Sequence, residues 1–180
     1  MARSFVGVWG RFRKICSFLK DLKRGETKLK TERKAVFHYK DRVRWIDTDT
    51  SKRIHFAAMF RFFEIAEQEF FRSLGFTYKD IQKLEIELPR VNVECNYRSL
   101  IGNDELLDIE VSVGRVGNSS VTLCFLVRRQ DGVVGADGQV IFATVDVNTG
   151  RSTVLPDKLR QELVFVQKNT VIGSGSIDSK

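Results

Sequence analysis

The segment Ala57 to Leu74, AAMFRFFEIAEQEFFRSL, constrains the fold more than any other part of this chain. On a helical wheel Met59, Phe63, Ala66, Phe70 and Leu74 fall along the centre of one face, with Phe60 and Phe71 on one side and Phe62 on the other. A stripe that broad cannot lie against water; it needs a sheet to cover it, and a second copy of the chain could cover what remains. Gly75 supplies a residue suited to ending such a helix. Glu64 sits at the edge of the stripe and Glu67 inside it, beside Phe60, Phe63, Phe70 and Phe71. Two carboxylates therefore border an aromatic wall.

Around this helix the pattern changes to alternation. HYKDRVRWID offers Tyr39, Val43 and Trp45 as strand residues leading into an Asp-Thr-Asp-Thr turn. After a turn-like GFTYKD come four strand candidates, LPRVNVECNYRSL, ELLDIEVSVGRV, SSVTLCFLVRR and GQVIFATVDVN. Gly102-Asn103, Gly117-Asn118 and the region from Gly132 to Gly138 separate them, and neighbours so close pair antiparallel. Pro156 opens a last helix, PDKLRQEL. The order predicts an α+β domain over residues 37–166, about five antiparallel strands wrapped around a long central helix. Residues 167–180, with GSGSIDSK, read as a flexible tail.

A length of 180 residues suits one domain with extensions. The net charge of +7 is confined to one end: residues 1–40 carry twelve Lys/Arg against three Asp/Glu, leaving 18 against 20 in the rest. The domain is therefore not expected to bind nucleic acid. Residues 1–36 form the basic extension and linker. Phe5, Val8, Trp9, Phe12, Ile15, Cys16, Leu19 and Leu22 recur at helical spacing there, among Arg11, Arg13, Lys14, Lys20 and Lys23. Such a helix can make peripheral membrane contact through residues 1–24, dock on the parent domain, or act as an organellar presequence, which Asp21 and Glu26 weaken. Cys16, Cys95 and Cys124 form no CxxC pair and suit reduced thiols; with only two histidines, no metal site is expected. No apolar run approaches the roughly 18 residues of a spanning helix. SFVGVWG is cut short by Arg11, too soon for a secretory signal, so the expected location is cytoplasmic.

The order of elements, with Asp47-Thr48-Asp49-Thr50-Ser51-Lys52-Arg53-Ile54 and the helix residues Arg61-Phe62-Phe63-Glu64, resembles the hotdog fold and, within it, the 4-hydroxybenzoyl-CoA thioesterase-like acyl-CoA thioesterases. Asn96-Tyr97-Arg98-Ser99-Leu100 through Gly102-Asn103-Asp104-Glu105-Leu106 is similar to a second motif of that family. The resemblance covers residues 38 to about 150. Lys52 stands where the family usually has glycine and Ala58 where Asn or Ser is common. Leu100 and Asn103 interrupt the second motif, and His55 stands one position before the family's histidine.

The resemblance implies hydrolysis of acyl-CoA to a carboxylic acid and coenzyme A by a homodimer or homotetramer, with no cofactor beyond the coenzyme A of the substrate. It places Asp49 in the reactive role, as general base or as nucleophile. Beside aromatic residues its pKa is expected to rise by desolvation; in the simpler reading both aspartates only organise an Asx turn, the job to which Asp47 is better suited. The resemblance singles out the Phe56 backbone N–H as donor to the thioester oxygen. The helix start supports that role, since residues 55–58 include no Ser, Thr, Asp or Asn to cap it. Glu64 matches the family's acidic helix position, to orient water or the leaving thiol or to make a structural bond across a dimer. Glu67 could pair with an arginine at a subunit interface. His55 is a proton donor or a structural residue, Ala57 lies beside the donor, and Phe63 lines an acyl slot or belongs to the core. Arg90, Arg98, Arg128 and Arg129 either meet phosphates or form a solvated face. The rival function is a hotdog that binds acyl thioesters without turnover, as a lipid sensor or a membrane-associated module.

Overall fold

A computed structural model describes residues 36–172, with side chains to residue 169. The expected amphipathic helix, its linker and its membrane contact lie outside the described residues. Among the described residues there are seven strands: β1 Phe37–Arg42, β2 Ile86–Glu87, β3 Arg90–Tyr97, β4 Leu106–Val116, β5 Ser120–Arg129, β6 Val134–Ala143 and β7 Val145–Asp146. The helices are α1 Ala58–Ser73, α2 Tyr78–Gln82 and α3 Asp157–Ile172. Five strands form one antiparallel sheet in the order β1-β4-β5-β6-β3, and β2 pairs with β7. This is the expected α+β hotdog architecture.

Alternation builds the inner face of the sheet. Leu107, Ile109, Val111 and Val113 of β4 face inward with Val121, Leu123, Phe125 and Val127 of β5 and Ala136, Val140 and Phe142 of β6, all buried. The stripe of α1 lies in the same core: Met59, Phe62, Phe63, Ala66, Phe70 and Phe71 are buried. Each of the larger side chains contributes about 1.5–3 kcal/mol when removed from water. Phe63 stacks on Phe125 with ring centroids 4.5 Å apart, and Phe71 meets Phe142 edge-on at 5.8 Å. The helix closes as its glycine predicts: Gly75 has φ +82°, its N–H donates to the Arg72 carbonyl, and the Phe76 N–H donates to that of Phe71.

Several boundaries differ from expectation for physical reasons. β6 begins at Val134, inside the region expected to be a break, because its glycines mark close packing. A Cβ on Gly135 would lie 2.7 Å from Ile101, and one on Gly138 would lie 2.2 Å from the Glu94 carbonyl and 2.8 Å from the Phe63 ring. GFTYKD, expected as a turn, contains the start of α2, where Thr77 and Asp80 cap each other reciprocally. The last helix runs to Ile172, past the expected boundary at 166; Leu159 and Leu163 are buried, and Gln167 donates to the Gly114 carbonyl of β4 at 2.9 Å.

Gly138→Ala should therefore destabilise the domain by about 1–3 kcal/mol by forcing α1 off the sheet. The check is the midpoint of urea unfolding, with the slope unchanged.

Candidate active site

The site begins where β1 stops. The chain enters a 3-10 turn, Trp45–Asp47, closed by two bonds: the Arg44 N–H donates to Asp47 Oδ2 at 2.8 Å and the Asp47 N–H to the Arg44 carbonyl at 2.9 Å. The expected strand residue Trp45 is thus turned outward; it is 86% exposed and Ile46 85%. Asp47 itself is buried, and its other carboxylate oxygen pairs with Arg61 of α1. Its carbonyl accepts the His55 N–H at 2.7 Å. One residue thereby ties the end of β1, the far side of the turn and the helix together.

Between Thr48 and Ile54, which pair across an isolated bridge, the chain reverses direction. The Asp49 N–H donates to the Arg53 carbonyl at 2.9 Å and the Lys52 N–H to that of Asp49 at 3.0 Å. The reversal is stitched to the loop before β4 by Ile54 N–H to the Ile101 carbonyl and Asn103 N–H to that of Lys52. Lys52 has φ +60°, a left-handed conformation that glycine adopts without strain, which explains glycine at the matching family position.

Asp49 is exposed at the tip of this turn. Its Oδ1 accepts from the Ser51 N–H at 2.8 Å and from the Ser51 hydroxyl at 2.5 Å. These bonds, with smaller help from the Arg53 amide and from the neighbouring His55, hold its pKa below the ordinary carboxylate value. The expected rise does not occur: the Ser51 bonds outweigh desolvation, which is small because Asp49 is exposed.

The start of α1 has no side-chain cap at Ala57. The His55 ring supplies a substitute, since Nδ1 accepts the Ala57 N–H at 3.1 Å, which leaves the ring proton on Nε2. The Ala58 N–H goes to the His55 carbonyl, and the Phe56 N–H has no partner among the described residues. The Phe56 carbonyl accepts the hydroxyl of Tyr97, from the end of β3. Burial raises the Tyr97 pKa, so this hydroxyl keeps its proton.

On the other side of α1, Phe60, Glu64, Glu67, Arg90, Val93 and Val140 line a cavity of about 270 Å³. Glu64 is exposed and accepts from Gln68 Nε2 at 3.3 Å. Glu67 is buried and pairs with Arg90 of its own chain, Nη2 to Oε1 2.5 Å. Burial raises the Glu67 pKa in spite of Arg90, and Glu64 adds to the rise. Phe63 is fully buried, with Phe60 edge-on above it at 6.5 Å. The arginines considered for phosphates all face carboxylates: Arg90 with Glu67, Arg98 with Asp137, Arg128 with Glu110, and Arg129 with Glu105 and Asp131.

The structure thus brings Asp49, His55, Phe56 and Ala57 into one stitched segment and sets Glu64 on the cavity face of α1. Sequence reasoning missed Ser51, Arg61 and Tyr97. Ser51 carries a local signal, a hydroxyl two residues after an aspartate; Tyr97 reaches Phe56 across 41 residues and carries none.

Two outcomes follow from this geometry. Lys52→Gly should raise stability by about 0.5–1 kcal/mol, the relief of the left-handed lysine less the entropy of a free glycine, seen as a higher unfolding midpoint. Because the folded-state pKa of Glu67 is raised, its contribution to stability is full below its ordinary value of 4.5 and is lost as pH rises through the folded-state value. The stability difference between wild type and Glu67→Gln, measured by urea unfolding from pH 4 to 7, should therefore move against wild type as pH increases.

Known proteins match this chain in sequence and in fold. The family model of the thioesterase-like superfamily matches residues 43–163. A 1,4-dihydroxy-2-naphthoyl-CoA hydrolase of Prochlorococcus marinus is 30% identical over 139 residues, covering 73% of this chain and 91% of the relative. A hypothetical protein from Aquifex aeolicus superposes with a TM-score of 0.66 at 25% identity, over 71% of this chain and 98% of that one. A Staphylococcus aureus protein solved in complex with CoA superposes at 0.72 and 17% identity, over 87% and 94% of the two chains. Sequence match and sheet topology agree: the chain belongs to the thioesterase-like superfamily of hotdog proteins.

Proposed function

We propose that the protein hydrolyses acyl-CoA thioesters to a carboxylic acid and coenzyme A, with Asp49 as the reacting carboxylate. The observation that carries this reading is a single stitched turn that presents an exposed carboxylate at its tip and, at the start of α1, a Phe56 amide with no partner among the described residues. The Phe56 N–H, at the positive end of the helix dipole, stabilises the thioester oxygen as it gains charge. As general base, Asp49 Oδ2 takes a proton from water whose oxygen bonds to the carbonyl carbon; the C–S bond breaks and coenzyme A leaves as the thiolate, to be protonated. As nucleophile, the same oxygen bonds to the carbonyl carbon, the thiolate leaves, and water then hydrolyses the mixed anhydride. A carboxylate held below its ordinary pKa is ionised at neutral pH, which both routes require.

His55 and Ala57 hold the donor turn, and Glu64 orients water or the departing thiol from the cavity side. Phe60 lines the acyl slot, and the fully buried Phe63, the residue expected to line it, supports Phe60 from beneath. Coenzyme A as carrier is favoured by the Prochlorococcus hydrolase, which acts on a CoA thioester. A second copy is expected at β3, an outer strand of the sheet, where Val91 is 61% and Val93 41% exposed.

Thiol release from short, long and aromatic acyl-CoAs tests the assignment. Asp49→Asn should lower kcat by about a hundredfold or more. Full activity in that variant sinks the role of Asp49, and tight binding of an acyl-CoA with no turnover by wild type turns the reading to a non-catalytic acyl-thioester sensor.

A further inference from the structure

The hydroxyl and the amide of Ser51 both point at the same oxygen of Asp49, at 2.5 and 2.8 Å. No bond is drawn to the other oxygen, Oδ2, by any described residue's side chain, and the residue is exposed. A free aspartate turns about its terminal torsion and presents either oxygen. Here two donors on one rigid turn remove that freedom. The turn is itself fixed at both ends, by the Thr48 to Ile54 bridge and by the bonds to Ile101 and Asn103.

We propose that Ser51 is the positioning residue for the reacting carboxylate: it clamps Asp49 Oδ1 so that Oδ2 alone meets the water or the thioester carbon. The inference rests on the assignment of Asp49 above. It adds a residue that takes no part in bond making itself. In either route Oδ2 carries the lone pair that takes the proton or forms the new C–O bond, while Oδ1 stays bonded to Ser51. As Oδ2 reacts, the negative charge on Oδ1 falls, so the same clamp also sets how readily the carboxylate accepts a proton. The groups that bear on Asp49 all belong to its own segment: the Ser51 hydroxyl and amide, the Arg53 amide and His55. Of these the Ser51 bonds act most strongly.

The test uses the full chain with carboxyl-labelled aspartate, Asp49 being identified by loss of its signal in Asp49→Asn. Ser51→Ala is expected to move the carbon-13 titration of Asp49 to higher pH and the acid limb of kcat/KM with it. It should lower kcat by about ten- to a hundredfold with KM little changed, the cost of a misplaced group. Ser51→Thr, which keeps the hydroxyl, should restore both. An unmoved titration in Ser51→Ala overturns the clamp. A moved titration with unchanged kcat and acid limb overturns it as well, since Ser51 then only shapes the turn. Loss of activity in Asp49→Asn beside an unaffected Ser51→Ala removes this inference alone; an active Asp49→Asn removes the assignment on which it rests.

Discussion

The contact between α1 and the sheet governs everything else in this domain. Phe63 lies flat on Phe125, and it can do so only because Gly138 leaves the space a side chain would fill. Around that point Met59, Phe62, Phe70 and Phe71 close the core, and the sheet curls over them with β4 and β5 in the middle. The position of the helix axis sets where its first residue falls. The Phe56 amide and the turn that precedes it are therefore consequences of aromatic packing two turns further along.

A second layer of constraint transmits that position to the chemistry. Asp47 is buried and joins the 3-10 turn to Arg61 of α1, while its carbonyl receives the His55 amide. Tyr97, from an outer strand of the sheet, holds the Phe56 carbonyl. Buried ion pairs contribute little net stability but penalise any displacement of one partner. The pair fixes geometry more than it adds stability. Asp49 differs in kind: it is exposed, bonded only within its own turn, and free to meet a ligand. Two aspartates a residue apart thus face opposite environments, one inside the protein and one outside.

Much of this was legible in the chain. The breadth of the α1 stripe, the closing glycine at Gly75 and the alternation in β4 and β5 follow from local periodicity, and the structure has them. The role of Asp47 as the turn-shaping residue could be anticipated, but its partner Arg61 could not. Three readings failed because they depended on neighbours. Trp45 fits a strand by type and is turned outward by Asp47. Gly135 and Gly138 look like breakers and are packing residues, visible only beside Ile101 and Phe63. Proximity in sequence to phenylalanines predicts a raised pKa for Asp49, whereas the turn leaves the residue exposed and gives its carboxylate to Ser51.

The sequence by itself determined the long helix, the main strands and their order, because helix and strand periodicities and turn residues act within a few positions of each other, and the resemblance carried by its motifs added the hotdog architecture. It also placed the proposed reactive groups in one segment, since Asp49, His55 and Phe56 are neighbours along the chain. Only the tertiary structure decided which carboxylate is buried and which is free, that Glu67 finds Arg90 within its own chain, and that Tyr97 holds the helix start. Those outcomes depend on solvent exposure and on partners 14 to 41 residues away along the chain, and neither quantity is encoded in local pattern.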